Sequence, residues 1–311
     1  MKKSKLLIAS LVAAMLAIAV PMVSAQGNGI QYQETAGMVR LTTDEIEMKV
    51  TGVGEVPHFH WWDPDSPGTD YHLIFVKLFE ANDTDSDGVY NGSEDQIVGS
   101  PFALPSTGWD FSGFETETDD GNVTAVHFNF TSTTEHDPRS GGETGNIPGM
   151  ASFDVKVQLR VHMDVENSNE LKFDVIIDGW NWTYDDSILV LQFTISESSH
   201  GEEQGSRDPS DFGRTGNQFQ FNGAYMEYAE TARAAQNTLE VRASYGDSAG
   251  QQAGNAIYLA FEYFGNETLE YDPTLGIGSD GVLPSDNTML LLIGGGIVVV
   301  VVIALIVKFR G

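Results

Sequence analysis

The sequence predicts an all-β protein: an antiparallel β-sandwich ectodomain followed by a single C-terminal transmembrane helix. Three observations carry that expectation. Over residues 153–165 every odd-numbered residue is apolar and every even-numbered one polar or charged. A period of two held that long belongs to a strand with one dry and one wet face. The other apolar runs are short, rich in Val, Ile, Phe and Tyr, and bounded by Gly, Pro, Asn, Asp and Ser, as strands joined by turns are. Finally, residues 289–307 are apolar without interruption and are followed by Lys308 and Arg310. Such a run covers a bilayer core, and its cationic flank belongs on the cytoplasmic side.

Taken in order, residues 1–25 read as a signal peptide, with Lys2, Lys3 and Lys5 before an apolar stretch and a small-residue cleavage site at Val23-Ser24-Ala25. The ectodomain is 26–274, long enough for one large or two small sandwiches. After a polar lead-in, residues 39–42 and 46–50 alternate as half-buried strands do. His58-Phe59-His60-Trp61-Trp62 follows, then a turn-rich connection into the aromatic and branched run 71–79. Further strands are expected at 123–131, 171–177, 189–195, 219–221, 239–243 and 257–263, with a hairpin break at Asn167-Ser168-Asn169. Residues 196–217 are polar and Gly-rich, a long loop. Residues 225–236 are the one stretch expected to form a short helix. A stalk at 275–287, the span at 288–307 and a tail at 308–311 complete a single-pass, type I arrangement with the ectodomain outside the cell.

The chain has 45 acids against 16 Lys and Arg, a net charge of −29, and no cysteine. The acidic surface repels phosphate backbones, which argues against nucleic acid, and suits divalent cations, basic partners or a salty exterior. The missing cysteines remove disulfides, c-type haem attachment, thiol catalysis and a lipidated N-terminal cysteine together. An exported domain without disulfides must be held by its core or by a metal.

The most specific motif is Asp83-Thr-Asp-Ser-Asp-Gly-Val-Tyr-Asn-Gly-Ser-Glu94, which has the full D-x-[DN]-x-[DN]-G-x5-E spacing of a calcium loop. A calcium ion takes six to eight oxygens. Asp83, Asp85 and Asp87 would supply carboxylates, Val89 its carbonyl, Asn91 an approach at position nine, and Glu94 a closing carboxylate, with Gly88 at the sharp turn. The bland alternative is ordinary acidic turn material. Gly99, Pro101 and Pro105 exclude an outgoing helix, so a structural Ca2+ loop between strands is expected rather than a helix–loop–helix switch.

His58 and His60 share a strand face and His72 lies across the expected hairpin, so the three imidazoles are a candidate Zn2+ or Cu2+ site; packing histidines are the alternative. Trp61, Trp62, Trp180 and Trp182 could form a sugar-stacking platform or lie in the core. Asn82, Asn91, Asn122, Asn129, Asn181 and Asn266 head N-x-[ST] sequons. No H-E-x-x-H, G-x-S-x-G or phosphate-cradling loop occurs, and no carboxylate pair stands out, so the chain is not expected to be an enzyme.

Four stretches carry a family resemblance: residues 58–62, the junction 79–90, Leu171-Lys-Phe-Asp-Val175 with Trp180 and Trp182, and residues 269–276. On these the chain resembles archaeal cell-surface proteins with a signal peptide, a β-rich ectodomain and a C-terminal membrane anchor. The resemblance implies a location and no chemistry. The leading expectation is a membrane-anchored, glycosylated surface protein with a structural calcium loop, acting as an envelope, adhesion or binding module. The alternatives are an extracellular carbohydrate-binding or carbohydrate-active protein and a histidine-based Zn/Cu-binding or redox domain.

Overall fold

The computed structural model describes residues 29–35, 37–51, 54–139, 155–201, 206–247 and 254–278. Twenty strands run through them. The first six are β1 (Gln31–Thr35), β2 (Met38–Thr42), β3 (Glu47–Thr51), β4 (His58–Trp62), β5 (Thr69–Asn82) and β6 (Gln96–Ala103). The middle six are β7 (Trp109–Phe111), β8 (Glu115–Asp119), β9 (Asn122–Ser132), β10 (Lys156–Asp164), β11 (Glu170–Asp178) and β12 (Ile188–Ser199). The last eight are β13 (Gly213–Thr215), β14 (Gln218–Phe221), β15 (Ala224–Glu227), β16 (Thr231–Ala234), β17 (Asn237–Asp247), β18 (Asn255–Phe261), β19 (Leu269–Tyr271) and β20 (Thr274–Ile277).

The alternation seen in the sequence dictates the burial. Val157, Leu159, Val161 and Met163 of β10 are all buried, while Lys156 and Asp164 face water. β10 ends in a 3-10 turn, Val165–Asn167, because Asp164 turns its carboxylate back to accept from the Glu166 N–H at 2.7 Å. The chain then returns as β11 with Val161 opposite Phe173.

The expected β-sandwich with a C-terminal membrane helix is not what forms. The strands make one continuous antiparallel sheet rather than two stacked ones. β17 shows why. Its first residues pair with β16 (Thr231↔Glu240 to Ala234↔Asn237), and the rest pair with β18 (Val241↔Phe261 to Asp247↔Asn255). Hydrogen bonding therefore passes along β17 from one group of strands to the other. The sheet curves so that distant strands still meet over one core: Phe59 of β4 and Phe75 of β5 lie 5.6 and 5.9 Å from Phe173 of β11, ring to ring.

A bulge at Val76 positions the rest. Phe75 pairs with Phe193 and Lys77 with Gln192, leaving one extra residue on β5. The side chains beyond it switch faces. Leu73, Phe75 and Leu78 consequently point into the main core, whereas Phe79 and Ala81 join Ile188, Val190, Ala260 and Tyr90 in a second cluster on the opposite face.

The short helix expected over 225–236 is instead β15, a turn and β16. Ala224, Met226, Ala232 and Ala234 are buried and their neighbours are not. Alanine favours a helix in isolation, but pairing with β20 and β17 decides the local structure.

Among the described residues no helix is long and apolar enough to cross a membrane, and the only helical turns are two 3-10 turns of three residues. The signal peptide at 1–25, the span at 288–307 and the tail at 308–311 lie outside the described residues, while Leu275, Gly276 and Ile277 of the expected stalk belong to β20. The single-pass type I arrangement, with a membrane as partner and the cell surface as location, is corrected accordingly. Among the described residues the regular elements are strands and two 3-10 turns.

Phe173 joins the two facing regions of the sheet. Phe173→Ala is expected to cost about 3–5 kcal/mol in urea unfolding, whereas Lys172→Ala on the exposed side of β11 should stay within about 0.5 kcal/mol.

Candidate metal centre

Four neighbouring strands assemble the three histidines. Lys49 of β3 lies opposite His60 of β4, His60 opposite His72 of β5, and His72 opposite Ser196 of β12. His58 precedes His60 by two residues and takes the same side. Phe59 and Trp61, between and beyond them, are fully buried in the core, which commits both imidazoles to the other face. The polar row of β12, Thr194, Ser196 and Ser198, is itself buried and flanks that face. His60 and His72 are only 4 % and 2 % exposed, while His58 is half-buried and opens toward solvent.

One nitrogen from each ring lies within 4.8 Å of the others. His58 Nε2 and His72 Nδ1 are 3.2 Å apart. The outer nitrogens show how the rings are held. His72 Nε2 is 2.8 Å from Ser198 Oγ, which also lies 3.4 Å from the Ser199 carbonyl, so Ser198 holds the outer nitrogen of the ring while Nδ1 lies toward His58. His60 Nε2 lies 3.4 Å from Thr51 Oγ1, and His60 Nδ1 is buried with no hydrogen-bond partner. Imidazoles that ligate metals characteristically hand their other N–H to an outer acceptor in this way.

The electrostatics agree. Burial, then the neighbouring His72 and Lys49, lowers the His58 pKa to about 3. Burial, then His58, His72 and Lys49, lowers that of His60 to about 2. Burial also lowers that of His72, with Asp70 opposing and Lys49 assisting. All three are neutral near pH 7, the form that binds a metal. Two nitrogens bound to tetrahedral zinc at 2.0–2.1 Å lie about 3.3 Å apart, close to the His58–His72 separation. The His58–His72 pair therefore fits two ligands of a zinc ion, and the third ring, His60, carries a buried Nδ1 with no hydrogen-bond partner.

Three protein ligands leave a fourth position open, the arrangement of catalytic rather than closed structural zinc sites. The expectation that this chain is not an enzyme rested on missing motifs and is corrected by this cluster. Thr51 and Ser198, which orient the rings, carry no signal in the sequence, because only the strand register brings them near.

The acidic loop connects β5 to β6, with no flanking helix. Asp83, Asp85 and Asp87 bring their oxygens within 4.8 Å of one another. Gly88 has φ +74° and donates its N–H to Asp83 Oδ2 at 2.9 Å, while Asp83 Oδ1 is enclosed and unpartnered. Desolvation within the loop, then the charges of Asp87 and Asp83, raises the Asp85 pKa. Val89 gives its N–H to Asp87 Oδ1. Asn91 turns its side-chain oxygen to Ser93, and Glu94 is exposed and stands outside the carboxylate group. Asp95, unmarked by the motif, locks the loop by accepting from Thr84 N at 3.0 Å and Asn91 N at 2.7 Å. Tyr90 anchors it to the second cluster, 5.0 Å from both Phe79 and Tyr258.

Trp61, Trp62, Trp180 and Trp182 are all buried, so no tryptophan platform faces solvent. Of the sequon asparagines, Asn82, Asn91 and Asn266 are exposed, Asn122 and Asn129 half-buried, and Asn181 buried with its Nδ2 enclosed.

The chain matches no family model and no curated protein. Among solved structures it is similar to the heparan sulfate lyase HepC from Pedobacter heparinus. The likeness is 8 % identity and a TM-score of 0.34 to a mutant form, over 82 % of this chain and 36 % of that one. To the unmutated enzyme it is 9 % and 0.32, over 81 % and 36 %. The chain thus spans about a third of the length of the enzyme it matches, and at this distance neither fold nor activity transfers. The resemblance to archaeal surface proteins is corrected too: no family matches and no described helix anchors the chain. The envelope or adhesion reading falls with it.

The depressed histidine pKa values make a pH prediction for the metal-free protein. These groups stay neutral when folded but take up protons near pH 6.5 when unfolded. Their contribution is complete above pH 6.5 and is lost as pH falls toward about 3. The unfolding free energy from urea titrations should drop over that window by an amount on the order of a few kcal/mol, and His60→Gln should flatten the slope.

Proposed function

We propose that this protein is a zinc-binding β-sheet protein in which His58, His60 and His72 hold one Zn2+ and leave a fourth position for water or substrate. The observation that carries this reading is the gathering of one nitrogen from each of three neutral imidazoles within 4.8 Å, on rings that include a buried Nδ1 of His60 with no hydrogen-bond partner. A zinc ion so held polarises a bound oxygen and makes water a nucleophile near neutral pH. The chain's own part is to present the ligands. Ser198 holds the outer nitrogen of His72, Thr51 lies against His60, and His60 and His72 are both buried. Protein stripped with a chelator and dialysed against zinc should retain one equivalent by elemental analysis. His60→Ala and His72→Ala should retain none, and Ser198→Ala should weaken binding by about 10–100-fold. A wild-type protein that keeps no zinc overturns the reading.

A separate observation favours calcium at the acidic loop, where three carboxylates crowd together and one oxygen of Asp83 is enclosed without a partner. We propose that Ca2+ binds Asp83, Asp85 and Asp87 there and stiffens the β5–β6 connection. Saturating calcium, a thousandfold above the dissociation constant, should add about 4 kcal/mol of stability. The gain should vanish in Asp83→Asn combined with Asp87→Asn. An unchanged melting temperature on adding EDTA shows the loop to be only a turn.

A further inference from the structure

The three histidines have a fixed cation beside them. Lys49 of β3 lies directly opposite His60 of β4, and His60 lies opposite His72 of β5, so these residues form one row across the sheet. Alternation along β3 sends Met48 and Val50 into the core and puts Glu47, Lys49 and Thr51 on the face that carries the imidazoles. Thr51 meets His60 there, which fixes the side. Lys49 is half-buried, and so is His58, the ring that opens toward solvent. Behind burial, the leading cause, the Lys49 charge helps to lower the pKa of each of the three rings.

A cation in this place works against a bare metal ion. Three neutral imidazoles bring no charge to offset Zn2+, so the dication and the Lys49 ammonium repel each other. The carboxylates on the flanking positions are engaged elsewhere. Glu47, two residues before Lys49 on the same face, is paired with Arg40, and Arg40 is itself the residue opposite Lys49 on β2. Asp70, two residues before His72, opposes Lys49 at that ring, but it is held by His200 and by the Gly201 N–H at 3.4 Å. In a chain of net charge −29, β2 and β3 thus present Arg40 and Lys49 against the single Glu47 on this side of the histidines.

An anion on the open fourth position turns that repulsion into attraction, because the metal and the ammonium draw it together. Resting on the zinc reading, we infer that the fourth position takes a small oxyanion, a carboxylate or phosphate group, with one oxygen on the zinc and its charge facing the Lys49 ammonium. Lys49 is then the residue that selects an anionic ligand over a neutral one. A neutral ligand of the same shape gains the metal contact alone and leaves the repulsion in place.

Cobalt loaded into the chelator-stripped full chain tests this, since its visible absorption reports what enters the fourth position. Acetate and inorganic phosphate are the probes, and acetamide is the neutral control. At least one anion should shift the spectrum saturably, and acetamide should not. Lys49→Met should lower that anion's affinity about tenfold or more, the loss of one charge-assisted contact, and Lys49→Arg should recover most of it. The same Lys49→Met should hold cobalt and zinc at least as tightly as the unsubstituted chain, because a repelling charge is gone. A variant that misfolds would lose metal and anion together, and Lys49→Gln then takes its place. Metal bound with neither anion, or anion affinity unchanged in Lys49→Met and Lys49→Gln, overturns the inference and leaves the zinc centre standing. An unsubstituted chain that binds neither cobalt nor zinc overturns both.

Discussion

Everything proposed for the inner metal centre depends on one strand pairing, His60 opposite His72 between β4 and β5. That register is held by what lies on the far side of the sheet. Phe59 and Trp61 are fully buried, Phe59 lying against Phe75 and Phe173 and Trp61 against Tyr71 and Phe221. A slip by one residue would expose both rings and turn the histidines inward. The hydrophobic core thus specifies the site from behind, without contributing a ligand.

β12 converts this register into an environment. It pairs with β5 and β18, and its outer row of Thr194, Ser196 and Ser198 is buried as well as its inner row of Leu191, Phe193 and Ile195. A buried hydroxyl needs a partner, and Ser198 finds one in His72. Burial that would be costly for charged imidazoles is tolerable for neutral ones. This is why the same packing that depresses their pKa values also readies them as ligands.

The bulge at Val76 extends the logic along β5. By changing the face of every later side chain it sends Phe79 to the outer cluster, where Tyr90 seats the acidic loop. Nitrogen and oxygen centres of different chemistry are therefore organised by one long strand, both on the face away from the main core. The continuity of β17 across β16 and β18 has a comparable effect on the whole, joining what would otherwise be separate sheets.

Much was legible in the chain before any pairing was known. Alternation over 153–165 marked β10, and the same period put His58 and His60 on one side of β4. The acid spacing from Asp83 marked the loop, because all these signals are local and repeat at the period of the backbone. Partner choice is not local. Only the folded sheet decided that His72 meets His60, that Ser198 and Thr51 stand beside the rings, that Asp95 ties the acidic loop together, and that His127 meets His162 from 35 residues away. It also turned the Ala-rich run over 225–236 from an expected helix into strands, and merged an expected sandwich into one sheet. Such outcomes follow from which distant apolar faces exclude water together, and a single stretch of sequence does not record that.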